Sequence, residues 1–283
     1  MARRSRRGFK KKNVALRLRI GSAQGRVRCH SMTKVLVIDI GGRNVKLLAT
    51  GETQPRKIPS GPAFTPQDLV ARLPEVVAGW SFEAISIGYP GPVSGGKPAA
   101  EPRNLGSGWL EFDFAQAFGS PVKLVNDAAM QAWGCYAGGR MFFLGLGTGV
   151  GTSLIVDGLL HPLEASHLPY KKGLTYEEIL GDAGLARLGK KRWRAEVRCV
   201  VNLFREAFQV DYLVIGGGNR KHLKSFPPFV RLGDNSFAFL GGFRLWEKAG
   251  YGLESPAAPI PASVAGEPPC GTLSPEDPAS SSA

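Results

Sequence analysis

Residues 35–50 read VLVIDIGGRNVKLLAT. An apolar run rich in β-branched residues reaches a carboxylate at Asp39, turns on Gly41 and Gly42, and leaves as a second apolar run. This pattern predicts two strands of a hairpin joined by the glycine pair. Residues 140–158, RMFFLGLGTGVGTSLIVDG, follow the same plan of strand, glycine turn and strand. The echo is not a short-period repeat. It predicts an α/β chain of two related lobes, each with a mixed sheet and a glycine hairpin that faces phosphate.

Backbone N–H groups in a tight glycine turn converge on a concavity and bind an anion without side-chain bulk. The second turn offers Gly145, Gly147, Gly149 and Gly151, with the hydroxyl of Thr148 beside them. A third strand, DYLVIGGGN, ends on Gly216, Gly217 and Gly218 before Asn219. Any one of these turns reads equally well as an ordinary hairpin with flexible glycines. Together they predict a cleft for a nucleotide or a polyphosphate. No GxxxxGK[ST] is present, and a strand rather than a helix follows the GxGxxG-like spacing of the second turn. A P-loop and a dinucleotide-binding Rossmann unit are thereby excluded.

The segments between the turns supply the remaining elements. TPQDLVARLPEVVAGW (65–80) predicts a helix capped by Thr65, with Pro66 in its first position and Pro74 bending or splitting it. AISIGYPGPV is a buried strand entering a Pro/Gly loop, and DFAQAFGS is a short helix. PVKLVNDAAMQAWGCYAGG is a strand followed by a helix that opens near Asn126 and Asp127. Val197, Val200, Val201, Phe204 and Phe208 recur at helical spacing. NSFAFLGGFRLWEKAG predicts a closing helix.

Transfer of a phosphoryl group needs anion positioning, a divalent metal and a base for the attacking hydroxyl. Asp39, at a strand end, suits Mg²⁺ bound directly or through water. Asp127, at a helix start, can take a hydroxyl proton or simply cap its helix, and spacing leaves both readings open.

The formal charge of +13 invites a nucleic-acid reading, but its distribution argues against one. Of 36 Lys and Arg, eleven fall in residues 1–31, which contain no acid; the rest of the chain has 25 basic against 23 acidic residues. The body is nearly neutral. The leader reads as a disordered tail or as sequence outside the native product, with Met32 placed to start a compact domain; a transit peptide or a non-specific nucleic-acid arm is the remaining reading. Residues 251–283 are rich in Pro, Ala and Ser and read as a disordered tail. Cys29, Cys135, Cys199 and Cys270 share no CxxC or CxC spacing, which argues against structural zinc and fits free thiols in a reducing cytoplasm. No run of 18 apolar residues suggests a membrane span. The expected domains are therefore the leader (1–31), an N-terminal lobe (32–125), a C-terminal lobe (126–250) and the tail (251–283).

In this order the segments resemble the ROK family of sugar kinases, within the actin-like, ribonuclease H-like ATPase fold, and among them the polyphosphate glucokinases. DIGGRNVK resembles that family's first phosphate motif, which would assign phosphate contacts to Gly41, Gly42, Arg43 and Lys46 and the metal to Asp39. GYPGPV and RNLGSGW resemble its sugar loops, and VNDAAMQAWG its NDAxxxAxGE motif, whose Asp is the catalytic base. GLGTGVGTSLIVDG resembles the second phosphate motif, LEASHLPY takes the place of ELGH, and VIGGGNRKHL resembles part of the polyphosphate glucokinase C-terminal half. The likeness covers about residues 33–250. It implies Asp127 as base, with Asn104, Asn126, Asp127, Glu164 and His167 on the sugar. It implies Gly147, Thr148, Gly149, Gly217, Gly218 and Asn219 on the phosphates or nucleotide.

The implied activity is transfer from polyphosphate or ATP, with Mg²⁺, to a hexose hydroxyl, giving glucose 6-phosphate where the hexose is glucose. The implied assembly is a cytoplasmic homodimer without membrane, structural zinc or specific nucleic acid. Another hexose, an amino sugar or a non-catalytic sugar-sensing regulator are the alternatives. His167 also reads as a packed, hydrogen-bonded histidine, and Glu177 and Glu178 as a further sugar carboxylate or a solvated helix face. Arg43 stands where the family has Thr and Ser166 where it has Gly, which leaves donor and sugar open. GKKRWR (189–194) is a candidate track for a polyanion or a solvated helix start, with Trp193 expected to pack.

Overall fold

The computed structural model describes residues 33–234 and 236–247. The leader and the Pro/Ala/Ser-rich tail lie outside the described residues. In the first half the elements are β1 (Val35–Ile40), β2 (Asn44–Ala49), β3 (Arg56–Pro59), α1 (Pro66–Val76), β4 (Ala84–Tyr89), the short ribbon β5 (Val93–Ser94) and β6 (Lys97–Pro98), α2 (Phe114–Phe118), β7 (Val122–Asn126) and α3 (Asp127–Cys135). The second half contains β8 (Arg140–Leu146), β9 (Val150–Val156), β10 (Leu159–Leu163), the ribbon β11 (Pro169–Lys171) and β12 (Leu174–Thr175), α4 (Tyr176–Leu180), α5 (Asp182–Phe208), β13 (Tyr212–Gly216), β14 (Val230–Leu232) and α6 (Phe237–Arg244).

The two main sheets have the same topology. Strands run β3-β2-β1-β4-β7 in one and β10-β9-β8-β13-β14 in the other. In each, an antiparallel three-strand meander continues into two parallel strands. The echo read in the sequence is thus an echo of whole sheets, and both glycine turns join equivalent strands.

Alternation along the strands sorts side chains into layers. Val35 and Val37 of β1, with Met141 and Phe143 of β8, share a core with α3 and α6. Leu36, Ile38 and Ile40 face the opposite side, against α1 and Trp109. Phe142, Leu144 and Leu146 face α4 and α5. Central strands buried on both faces explain the near-continuous apolar runs. Helices α3 and α6 therefore lie between the sheets, and they cross with almost no side chain between them. A Cβ at Gly134 would fall 1.9 Å from the Phe237 carbonyl oxygen, and one at Gly241 1.8 Å from that of Met130. The closing helix also bonds to the first sheet: Ser86 Oγ donates to Gly242 O at 2.6 Å, and Trp246 Nε1 donates to Ser86 Oγ at 2.9 Å.

Local signals act as expected at several points. Thr65 caps α1 in a reciprocal box with Asp68, whereas Pro74, expected to bend or split the helix, lies within one helix that runs on to Val76. Gly189, at φ 70°, breaks α5 into two helical pieces, the second carrying the apolar stripe. Trp193 is fully buried and donates Nε1–H to Leu180 O at 2.9 Å. No described helix is long and apolar enough to cross a membrane.

Candidate active site

The first glycine turn is closed by its own backbone and one hydroxyl. Gly41 N donates to Asn44 O at 3.2 Å, and Ser60 Oγ donates to Gly41 O at 2.6 Å. Asp39 sits opposite Lys46 in the β1–β2 register, and the two pair at 3.1 Å. Lys46 occupies one oxygen of Asp39 and leaves the other free to face an ion. The Arg43 side chain is exposed, with no ion pair or hydrogen bond among the described residues; its carbonyl accepts from Ser60 N. Gly42 lies against the loop that carries Asn104, where an added Cβ would stand 3.1 Å from the Asn104 Cβ. That loop is held by the Glu101 carboxylate, which accepts from the N–H groups of Gly108, Trp109 and Leu110.

The second turn is supported from three sides. Asn219, buried, donates Nδ2–H to Gly147 O at 3.1 Å and to Asp182 Oδ1 at 2.7 Å. Asp182 N donates to Gly147 O at 3.0 Å. At Gly217, φ is +79° and a Cβ would lie 2.2 Å from Leu146 O, so only glycine fits there. Thr148 is exposed at the tip and its side chain is unengaged among the described residues. Gly147, Thr148, Gly149, Gly217 and Asn219 thus gather at one place, with Gly218 opening the short 3₁₀ turn to His222.

The cap of α3 is taken by the neighbour of Asp127. Asn126 caps α3, accepting at Oδ1 from Ala129 N at 3.0 Å, and its Nδ2 reaches Gly91 O at 3.1 Å. Asn126 therefore keeps only one amide hydrogen for a ligand. Asp127 is released from capping and accepts from the adjacent Ala128 N at 2.7 Å. Burial, then the charge of Asp39, push its carboxyl up to about 7, with a smaller push from Glu164 and a counter-pull from the Ala128 N–H. A carboxylate held near neutrality can both accept and release a proton. Asp39 and Glu164 both act on Asp127, which places the three carboxylates near one another.

Glu164 meets His167 at 3.4 Å, and both side chains are well exposed, so His167 is not a packed core residue. Burial raises the Glu164 carboxyl; His167 and Arg103 pull it down and Glu177 pushes it up. Ser166, between them in sequence, is 1% exposed.

The two helical carboxylates take different roles. Glu178 closes a capping box with Thr175. Glu177 accepts from Val150 N at 3.2 Å and meets Arg103 at 3.4 Å. The Thr-x-x-Glu spacing at 175–178 carried that signal in the sequence; nothing there pointed to Arg103, Ser60 or Asp182.

No family model matches the sequence. A glucokinase of Pyrobaculum calidifontis is 32% identical over 139 residues, which is 46% of this chain and 45% of the relative. The matched part thus spans less than half of that curated relative. Among solved structures, the inorganic polyphosphate/ATP-glucomannokinase of Arthrobacter sp. strain KM superposes with a TM-score of 0.63 at 23% identity, over 75% of this chain and 97% of that one. The chain has the fold of ROK sugar kinases. A ROK family glucokinase from Streptomyces griseus gives a TM-score of 0.58 at 17% identity, covering 75% of this chain and 99% of its own. A ROK family protein from Streptococcus pneumoniae gives 0.62 at 15%, covering 75% and 97%. The mixed α/β fold implied by the family resemblance is the fold these structures share with the chain.

Proposed function

We propose that the protein is a hexose kinase that moves a phosphoryl group from polyphosphate or ATP to a sugar hydroxyl, with glucose as acceptor giving glucose 6-phosphate. The observation that carries this is the state of Asp127. Asn126 takes the cap of α3 and leaves the Asp127 carboxyl to a ligand, with Asp39 and Glu164 near enough to push that carboxyl up. The likeness to glucokinases and sugar kinases supports the same reading.

In this mechanism the sugar is held by Asn104, Asn126, Glu164 and His167, with its hydroxyl on Asp127. Asp127 takes the hydroxyl proton as the sugar oxygen bonds to the terminal phosphorus. The bond to the bridging oxygen breaks, and its electron pair leaves with the shortened donor. Gly41, Gly42, Arg43, Lys46 and the 147–149 turn, with Gly217, Gly218 and Asn219, cradle the phosphates. The residues fit magnesium held through Asp39. Among the described residues no three His, Cys, Asp or Glu gather to cage a metal, so donor oxygens and water would complete its shell. Such an ion neutralises charge on the transferred phosphate.

A polyanionic donor is supported by a group of cations beyond the second turn. Burial and the charges of Lys190, Lys221 and Arg194 hold His222 below its ordinary value. Arg194, Arg198 and Lys224 line a small cavity beside it. None of these five cations has an ion pair among the described residues. Another hexose or an amino sugar is the second acceptor class, since Ser166, next to Glu164 and His167 in sequence, stands where the family has Gly. The two-lobe division near residue 125, a homodimer and a cytoplasmic location complete the reading. The test is a matrix of ATP and polyphosphate against glucose, mannose, fructose and N-acetylglucosamine, following sugar phosphate. At least one pair is expected to turn over; absence of product in every pair would overturn the reading.

A further inference from the structure

The two glycine turns belong to different sheets, yet one short chain of contacts joins them. Gly42 of the first turn lies against Asn104. Arg103, the next residue back, reaches across to Glu177 at 3.4 Å. The other Glu177 oxygen accepts from Val150 N, and a Cβ on Gly149 would stand 2.7 Å from it. The order is first turn, sugar loop, ion pair, second turn. Arg103 makes no other side-chain hydrogen bond or ion pair among the described residues, and its side chain is 72% exposed. Its cation also draws the Glu164 carboxyl down from nearby, so the link to Glu177 stands beside the sugar site as well.

We propose that Arg103 and Glu177 are positioning residues that couple the two substrates: the ion pair sets the spacing between the turns, so that filling one side favours the other. This inference rests on the kinase reading above. Glu177 holds the end of the phosphate turn through a backbone N–H, so its position and that of Val150 change together. Arg103 is fixed in sequence to Asn104, so a shift of the sugar loop moves the guanidinium. A sugar that seats Asn104 therefore sets Arg103, and through Glu177 the turn that meets the donor. Neither side chain needs to touch a reacting atom.

An exposed pair of this kind is screened by salt, which gives the proposal a signature that a purely structural role lacks. The measurement is bisubstrate initial-rate kinetics on the full chain with glucose and whichever of ATP or polyphosphate supports turnover. The coupling factor is the ratio of glucose's dissociation constant from the free enzyme to its KM at saturating donor. R103A is expected to reduce that factor about 3-fold, on the scale of one exposed ion pair, with glucose binding to the free enzyme little changed. E177Q is expected to match it while keeping an acceptor for Val150 N. R103A/E177Q is expected to lose no more than either single variant, because both act on one link. Raising ionic strength should reduce the wild-type factor and leave R103A unaffected. An R103A enzyme with the wild-type factor and salt response overturns the inference while leaving the kinase reading intact. A wild type that phosphorylates no hexose with either donor overturns both.

Discussion

Asp127→Asn separates catalysis from stability, and the structure gives the size of the effect. The Asp127 carboxyl stands at about 7 against an ordinary 3.8. Between those values the folded chain binds a proton that the unfolded chain has lost, so stability falls as pH rises from about 4 to about 7. Each pH unit across that interval is worth about 1.4 kcal/mol, so the cost of the charge reaches about 4 kcal/mol above pH 7, or about 2 where water in the cleft screens half of it. Asparagine keeps an oxygen for the Ala128 N–H and carries no charge. The variant should therefore unfold like the wild type near pH 4 and be about 2–4 kcal/mol more stable at pH 8. For a chain of this size that is a rise in Tm of order 10 °C. Paired denaturant or thermal melts from pH 4 to 8 measure it, alongside sugar phosphate formation, which should vanish. A variant with no gain at pH 8, or with full activity, would refute the account of Asp127 as a half-buried base held near neutrality.

Further outcomes follow from the same geometry. The rate at low sugar, kcat/KM, should fall about tenfold per pH unit below about 7, because the base must be ionised. In Asp39→Asn the like charge beside Asp127 is gone, so the Asp127 carboxyl ¹³C titration should move to lower pH; an unmoved midpoint would refute the push from Asp39. Gly42→Ala puts a methyl 3.1 Å from the Asn104 Cβ and should raise the sugar KM several-fold, with kcat less affected, in steady-state kinetics. Gly134→Ala drives a methyl onto the Phe237 carbonyl and should cost about 3 kcal/mol in denaturant melts.

Much of the fold could be read from residues that act locally. The glycine pair after Asp39, the capping box at Thr65 and the apolar stripe from Val197 to Phe208 each specify their own element and need no distant partner. The repeated strand order was partly legible because both glycine turns sit between runs of the same kind. The site was less legible where two similar groups stand side by side. Asn126 and Asp127 are both able to cap a helix, and only the bond from Ala129 N to Asn126 identifies which one does. Glu177 and Glu178 differ by one step along a helix start, and Thr175 takes the second. Arg103 and Glu177 meet across 74 positions of chain, a separation that no local pattern encodes. The return of α6 between the sheets was hidden for a related reason: Gly241 meets α3 at Met130 and Gly242 meets Val37 of β1, partners far away in the chain.

Because both sheets follow one strand order, position 39 and position 145 occupy the same place in the plan. One faces a lysine across its hairpin; the other is a glycine opposite a glycine. A duplicated scaffold by itself would give two equal cups with no preferred direction between them. Charge in one cup and bare backbone in the other break that equality, so the two cups offer different chemistry on one scaffold.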